Sequence, residues 1–291
     1  MSWQFLACLA FLYQYGLVQI AIKKIGAVEG SRTRKLVWQY FFAASLAFIT
    51  MAIAGQLDLS WSFVIVAVIG AANAFGCYCH WRAYDISMSR TAVLSNLDDL
   101  LAIGLGYAVL GELRVLTPIL TVGIVVSVTS AMVFAKIKHS NDESSNHRLI
   151  GWVLGYTIIW GVAMFSMRFF SLQGLNIFTY IAAWYFGAWL GALFTRFVIM
   201  GCEEAGPPLT YAQRAKVLLL AVGIWTSLML AYLMRTLVPI TVIQPIQLVA
   251  ELSIPTIIGL TIFGEARNMS RREMAIITAG LIGVSLIAVG F

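Results

Sequence analysis

Two apolar stretches of this sequence each contain a carboxylate whose setting could support chemistry. Asp98, followed by Asp99, lies within residues 91–112, and Glu251 lies within residues 242–265. An ionised carboxylate in a bilayer is costly unless it faces water, a partner or the protein interior. Such a group can carry a proton or bind a cation in a central cavity. It can equally pair with arginine or backbone donors and brace two helices, and the sequence leaves both roles open.

The two stretches belong to an internal repeat. Asp98 and Glu251 each lie fourteen residues before the glutamate of a Gly-Glu pair, whereas Asp99 has no acidic counterpart. Arg82 and Arg235 each precede the matched acid by sixteen residues. Each half also has an aromatic-Gly pair with a basic residue seven positions after the glycine: Tyr15-Gly16 with Lys23, and Trp160-Gly161 with Arg168. Four features in the same order indicate a duplicated chain.

Composition places this repeat in a membrane. Hydrophobic residues make up 60% of the 291 residues and charged residues 11%, whereas about 25% of a soluble domain is charged. Apolar runs broken by polar turns predict an all-α integral membrane protein with ten transmembrane helices of about 20 residues. The predicted spans are 3–22, 37–54, 61–80, 91–110, 117–135, 150–168, 176–199, 215–234, 239–263 and 274–290.

A polar segment divides the ten spans into two sets of five. We predict a first five-helix repeat at residues 1–138, a polar linker at 139–148 and a second five-helix repeat at 149–291. Because five is odd, the two repeats are inverted relative to each other across the membrane. Inverted repeats are a known plan of secondary transporters, with the substrate site between the halves near the membrane midplane.

These motifs resemble the drug/metabolite transporter superfamily, in its ten-helix EamA-like branch. In that family the first helix of each repeat has an aromatic-Gly pair and a basic end, and the third ends in a basic residue. The fourth reads L-E-P, then an apolar run, then G-E. The L-E-P positions here hold Leu97-Asp98-Asp99 and Ala250-Glu251-Leu252, with Pro255 displaced. The resemblance covers nearly the whole chain and implies a secondary transporter, often an exporter, of amino acids, related metabolites or organic cations.

Uncharged residues of the spans are further candidates for the substrate site. Trp160 and Trp184 lie away from the ends of two aromatic-rich predicted helices. Rings beside a carboxylate can bind an organic cation through cation–π contacts; packing and interface belts are the alternative roles. Asn73, Asn96, Gln244 and Gln247 are candidate hydrogen-bonding partners in the third, fourth and ninth predicted helices.

Four charged residues near helix ends are gating or structural candidates. Glu112 and Glu265 follow glycine, and a carboxylate there commonly caps the next helix N-terminus. Arg82 and Arg235 also fall at predicted helix ends, where basic side chains extend along apolar surface to reach water. Closing the cavity is the alternative role for the two arginines.

An integral-membrane enzyme and a non-transporting scaffold are the rivals to a transporter. His80 and Asp85 have the H-x-x-x-x-D spacing of some acyltransferases, but the remaining histidines lie in the polar segment, so no catalytic triad or ligand cluster can be assembled. We therefore predict no enzyme activity, catalytic residue, metal site or cofactor. The predicted partners are a small-molecule substrate, with or without coupled protons, and the lipid bilayer, with no nucleic acid. Both a monomer and a homodimer fit.

The basic residues predict an orientation. Of 19 lysines and arginines, 16 fall in odd-numbered loops of the ten-helix scheme and three, Arg114, Arg168 and Arg235, in even-numbered loops. Basic loops stay in the cytoplasm, so both termini are predicted outside a plasma membrane, the inner membrane in a bacterium. Members of the resembled family usually have both termini inside, so the charge count and the resemblance disagree on this point.

Overall fold

The structure, a computed structural model, describes residues 3–26, 31–56, 58–95, 97–110, 117–136, 143–199, 208–237, 240–264 and 270–290. Helices make up nearly all of these residues, and none of them is in a strand. A helix satisfies its backbone N–H and C=O groups within one segment, which lipid requires of a spanning element. The all-α prediction is therefore confirmed for the described chain.

The chain begins with one continuous helical run, α1 (Trp3–Phe11), a π-helical segment (Leu12–Val18) and α2 (Gln19–Gly26). It is followed by helices α3 (Arg32–Ile53), α4 (Trp61–Ile86), α5 (Met88–Ser95), α6 (Leu97–Leu110), α7 (Pro118–Lys136), α8 (Glu143–Leu172), α9 (Ile177–Phe194), α10 (Tyr211–Leu237), α11 (Ile240–Thr261) and α12 (Arg271–Gly290). A second π-helical segment, Thr195–Ile199, continues α9.

Six stretches of the described chain are helical, long and apolar enough to cross a membrane: Phe5–Ile25, Arg32–Ile53, Trp61–Ile86, His147–Leu172, Ile177–Val198 and Tyr211–Leu237. Their lengths suit the hydrocarbon core of a bilayer, so the chain is an integral membrane protein. The other four predicted spans fall on α5 with α6, on α7, on α11 and on α12, which are not among these six. The number of ten spans therefore stays a prediction.

Several predicted boundaries differ from the structure, including the end of the span 61–80, since α4 continues to Ile86. The predicted span 91–110 is divided between α5 and α6. Helix α8 begins at Glu143, inside the predicted linker 139–148 and seven residues before the predicted span starts at 150. Hydropathy marks only the part of a helix that lies in lipid, so it cannot mark a polar helical extension into water.

Polar contacts join helix ends on one side of the bundle. Arg32 at the start of α3 forms an ion pair with Asp85 at the end of α4. The Lys35 ammonium donates a hydrogen bond to the Ile25 carbonyl oxygen of α2 at 2.8 Å. We call this side the basic end.

A second set of contacts defines the opposite side, which we call the far end. The Thr179 hydroxyl of α9 donates to the carbonyl oxygen of Gln56, just after α3, at 3.1 Å. The Tyr232 hydroxyl of α10 donates to the carbonyl oxygen of Leu175, just before α9, at 2.6 Å. Helices α3 and α10 therefore run from the basic end to the far end, and α4 and α9 run in the opposite direction.

Glycine lets α4 and α9 pack with their backbones in contact. A Cβ atom on Gly187 would lie 1.7 Å from the Ala67 carbonyl oxygen, and one on Gly191 would lie 2.1 Å from that of Ala71. Gly187 and Gly191, four residues apart on one face of α9, therefore allow these two helices to approach closely. It holds the middle of α9, including Trp184, against the interior.

Candidate functional site

A cavity with about 790 Å³ of empty space lies inside the bundle. Its wall is formed by the first helical run, α3 and α4 on one side and by α8, α9, α10 and α11 on the other. Both halves of the chain therefore contribute to one chamber.

Glu251 is the one formally charged side chain among the described residues that line the cavity. It lies in the middle of α11, is 5% exposed, and its Oε2 atom has no hydrogen-bond partner in the described structure. The Tyr15 hydroxyl lies beside this carboxylate without meeting hydrogen-bond geometry. Tyr15 belongs to the first π-helical segment, and such segments are frequent at functional sites. A buried carboxylate and a phenol thus face the same space.

Asp98 and Asp99 lie at the start of α6 and do not line the cavity. Both are fully buried, and the Asp98 Oδ1 atom accepts a hydrogen bond from the Asp99 backbone N–H at 2.8 Å. Asp98 is close enough to Glu251 for a direct electrostatic interaction. The fold therefore brings the two sequence-matched acids together, with Glu251 at the cavity surface and Asp98 behind it.

Arg235 is buried beside these acids and does not extend to the membrane surface as the sequence predicted. Its side chain is 1% exposed and interacts electrostatically with Asp99 and Glu251. One guanidinium nitrogen donates to Gln247 Oε1 at 3.1 Å and to Met164 Sδ at 2.9 Å. A buried charge persists when hydrogen bonds and opposite charges compensate its lost hydration. Arg235 therefore ties α10 to α8 and α11.

Arg82, the sequence counterpart of Arg235, is only partly buried. Its Nε atom donates to the Tyr78 hydroxyl at 2.9 Å. Its guanidinium also lies over the rings of Tyr78 and Trp152, at 5.4 Å and 5.8 Å from their centroids. Because Arg82 lies one turn before the end of α4, it is at the basic end, whereas Arg235 is near the far end of α10.

Both predicted tryptophans line the cavity. Trp184 is 2% exposed and stacks on Tyr180, with ring centroids 5.9 Å apart and planes at 23°. Trp160 is partly buried and lies 5.7 Å from the Tyr156 ring, which also lines the cavity. The wall therefore has aromatic surface on both α8 and α9.

Several cavity residues were missing from the predicted site. Side-chain amides of Gln14, Gln19, Gln39 and Asn73 line the chamber. Asn73 is a hydrogen-bonding candidate that the sequence also indicated, whereas the three glutamines were not selected. An amide inside an apolar span is the signal that could have identified them, because unpaired polar groups are expensive in lipid.

His80 and Asp85 have different surroundings in the structure. Five residues on an α-helix correspond to about 140° of rotation at about 100° per residue. His80 accordingly faces the cavity, with its ring 4.1 Å from that of Tyr84 and 4.4 Å from that of Tyr156, while Asp85 binds Arg32. Within the described residues, no three His, Cys, Asp or Glu side chains group closely enough to hold a metal ion.

Four predicted candidates cannot be placed at the site. Asn96, Glu112 and Glu265 lie outside the described residues. The backbone of Gln244 belongs to α11, but its side chain also lies outside the described structure.

No protein-family profile matches the chain, and a comparison with curated proteins found no relative. A comparison with solved structures found a chain described only as a crystal structure of a protein. It has 12% sequence identity and a TM-score of 0.66, and the match covers 98% of this chain and 96% of that one. The likeness shows that the two chains share a fold over almost their full lengths.

Proposed function

We propose that this chain is a secondary transporter that exports a small polar metabolite, such as an amino acid or an organic cation, by alternating access at the cavity. The observation behind the proposal is a chamber within a membrane protein, built from both halves of the chain and lined by a carboxylate, amides and aromatic rings. Ionisable groups inside a membrane protein mark substrate and ion pathways. A scaffold would not require such a chamber.

The pattern of helix packing supports two inverted five-helix repeats around this chamber. The repeats pair the first helical run with α8, α3 with α9, α4 with α10, α5 and α6 with α11, and α7 with α12. Under this pairing, the α4–α8 contact corresponds to the contact between α10 and the first run, and α4–α9 corresponds to α10–α3. The α6–α8 contact corresponds to that between α11 and the first run. Each of these three contacts therefore has a counterpart when the two repeats are exchanged, as expected if a two-fold axis relates them.

Residue contacts support the same relation. A Cβ atom on Gly16 would meet Ile254, at 3.8 Å, and one on the matched Gly161 would meet Leu101, at 2.8 Å. Leu101 and Ile254 each lie three residues after the matched acid of their repeat. The first helix of each repeat therefore packs on the equivalent point of the other repeat.

The matched arginines give this transporter a candidate gate at each end. Arg235 lies near the far end, next to the cavity-lining Met164, and its contacts with Met164 and Gln247 close the space between three helices. Arg82 occupies the equivalent position at the basic end, where it is partly buried. In alternating access the two ends exchange conformations, so the far-end contacts open as Arg82 becomes enclosed.

A ligand screen followed by flux tests the proposal. Purified full-length protein is screened by thermal shift against amino acids, amines and sugars, and each ligand that binds is tested in proteoliposomes with and without a pH gradient. We expect at least one ligand to stabilise the protein and to cross the membrane chemically unchanged. Release of a covalently altered product would contradict the proposal in favour of an enzyme. Binding without any flux would also contradict it.

A further inference from the structure

Four buried acceptor atoms in the cavity wall have no hydrogen-bond partner in the described structure. They are Oε1 of Gln19, Oε1 of Gln39, Oδ1 of Asn73 and Oε2 of Glu251. The exposed fractions of these side chains are 9%, 1%, 3% and 5%. Buried polar atoms normally have a partner, and each exception calls for a water or a ligand. The four atoms come from α2, α3, α4 and α11, so they surround the space on several sides.

Two of these residues also contact neighbouring side chains of the wall. The Asn73 Nδ2 atom donates to the Tyr40 hydroxyl at 3.4 Å. The Gln39 side chain contacts the Cys77 thiol. These contacts favour the orientation that leaves the amide oxygens facing the cavity. These residues therefore present hydrogen-bond acceptors to a ligand in the cavity.

The charged groups around the cavity also favour a cationic ligand. Glu251 lines it, and Asp98 and Asp99 are buried close behind, with Arg235 as the buried cation beside them. No lysine or arginine is among the described lining residues. An ionised Glu251 at the wall attracts a cation and repels an anion.

Aromatic rings form the rest of the wall. The rings of Tyr40 and Tyr185 lie 6.3 Å apart, and both line the cavity together with Trp184. Ring faces attract cations and bury flat apolar groups. The chamber thus combines acceptors for a charged head with an aromatic surface for an organic body.

We infer that the cavity binds an organic cation whose charged group donates several N–H hydrogen bonds, namely a primary ammonium or a guanidinium on an apolar or aromatic body. This inference rests on the proposed function for the role of the cavity. A quaternary ammonium has the same charge but no N–H donor, so it leaves the four acceptors unpaired. A carboxylate has the opposite charge and adds further acceptors.

A matched probe series tests the inference on the full chain in detergent. The probes are phenethylamine, phenethylguanidine, N,N,N-trimethylphenethylammonium, phenethyl alcohol and phenylpropionate, with dissociation constants measured by calorimetry or tryptophan fluorescence. We expect the first two to bind at least about tenfold more tightly than the other three, because only the first two combine a positive charge with N–H donors for the buried acceptors. Equal binding of the quaternary compound, or tighter binding of the alcohol or phenylpropionate, would overturn the inference.

Substitutions test whether the ligand binds to these acceptors. Gln39→Met and Asn73→Leu keep the approximate size of the side chain and remove the oxygen. Each should weaken phenethylamine binding by about tenfold while leaving the quaternary compound within about threefold. Gln173→Met is the matched control, because Gln173 is exposed in the turn between α8 and α9. If Gln39→Met and Asn73→Leu match the control while both stay folded by thermal unfolding, the assigned acceptors are wrong.

The test separates this inference from the proposed function. Tight phenethylamine binding without flux in proteoliposomes would contradict the transporter and leave the ligand class standing. Flux of phenylpropionate with no binding of either N–H cation would support a transporter and contradict the ligand class.

Discussion

A carboxylate that faces a cavity and one that faces packed side chains respond differently to the loss of their charge. Glu251 has an unpartnered oxygen at the cavity wall, whereas Asp98 is fully enclosed and accepts a hydrogen bond from the backbone of Asp99. A ligand can reach the first group directly. The second acts on a ligand only through the electric field across the intervening side chains.

Glu251→Gln and Asp98→Asn should therefore separate the two roles. We expect Glu251→Gln to weaken binding of a cationic ligand at least about tenfold, because a charge-assisted contact is replaced by a neutral one. Asp98→Asn keeps an oxygen that can accept the Asp99 N–H and should change the same affinity by no more than about threefold. Calorimetry on both purified variants measures the difference. Unchanged binding in Glu251→Gln would show that this carboxylate does not bind the ligand and would leave it a structural role.

The helix pair α4 and α9 depends on the absence of side chains at its contact. Its packing also positions the aromatic wall, because Trp184 lies on α9 just before Gly187, the first of the two glycines at the contact. Interiors are close-packed, so an added methyl group must move a helix or strain the backbone.

Gly187→Ala should lower stability markedly. A Cβ atom there would lie 1.7 Å from the Ala67 carbonyl oxygen, so α4 and α9 must separate; overpacking typically costs about 1–3 kcal/mol. Gly151→Ala is the control, because a Cβ atom at Gly151 in α8 meets nothing within 4 Å. Thermal unfolding in detergent compares them. Equal midpoints for the two variants would show that the close approach of α4 to α9 is wrong.

The contacts of Arg235 join three helices across the far end of the cavity. Hydrogen bonds to Gln247 and Met164 connect α10 with α11 and α8, and Arg168 of α8 donates to the Arg235 carbonyl oxygen at 3.1 Å. Opening that end requires these contacts to break. Under the proposed mechanism, Arg235 should therefore stabilise the conformation in which the far end is closed.

Arg235→Met should shift the protein toward a conformation open at the far end. Methionine keeps apolar packing and removes the donors. Labelling uses protein whose native cysteines are replaced, because Cys77 also lines the cavity. A cysteine introduced at Thr236, exposed at the end of α10, serves as the labelling reference. A cysteine at Ala231, which lines the cavity, should react several-fold faster with a water-soluble maleimide in Arg235→Met than in the parent. Arg82→Met is the matched comparison and should not accelerate this reaction. Equal rates in all three backgrounds would contradict the gate.

Much of the helical fold and part of the site follow from the sequence. Long apolar runs predict helices because lipid leaves few other structures available, and matched spacing selected Asp98 and Glu251 as equivalent acids, which lie close enough to interact in the structure. The sequence could not predict that Glu251 alone lines the cavity, since that depends on how each helix is rotated about its axis. It also misplaced Arg235, because buried hydrogen bonds to Gln247 and Met164 arise only from the packing of three helices.

At the scale of the whole molecule, basic residues concentrate at one end of the bundle. The ammonium of Lys23 lies 4.5 Å from the centroid of the Phe263 ring, the guanidinium of Arg214 lies 4.8 Å from that of Trp38, and Arg34 is close enough to Arg196 to repel it. Cytoplasmic ends of membrane proteins carry this excess of positive charge. The basic end should therefore face the cytoplasm.

A side-specific reporter fused to either end of the chain tests this orientation. Because α1 starts at the far end, we expect a reporter that works only outside the cytoplasm to be active at both termini. A reporter confined to the cytoplasm should be inactive at both. Two cytoplasmic termini would reverse the orientation and place the basic end outside.

Counterflow in proteoliposomes is the most direct test of a transporter. Vesicles with full-length protein are loaded with unlabelled phenethylamine, or with whichever ligand binds most tightly in the screen, and the same compound is added outside in labelled form. The account predicts transient accumulation of label with the parent protein and with Gln173→Met, and none with Glu251→Gln that is shown to be folded. Absence of accumulation with a parent protein that binds the ligand would contradict the account, as would full accumulation with Glu251→Gln.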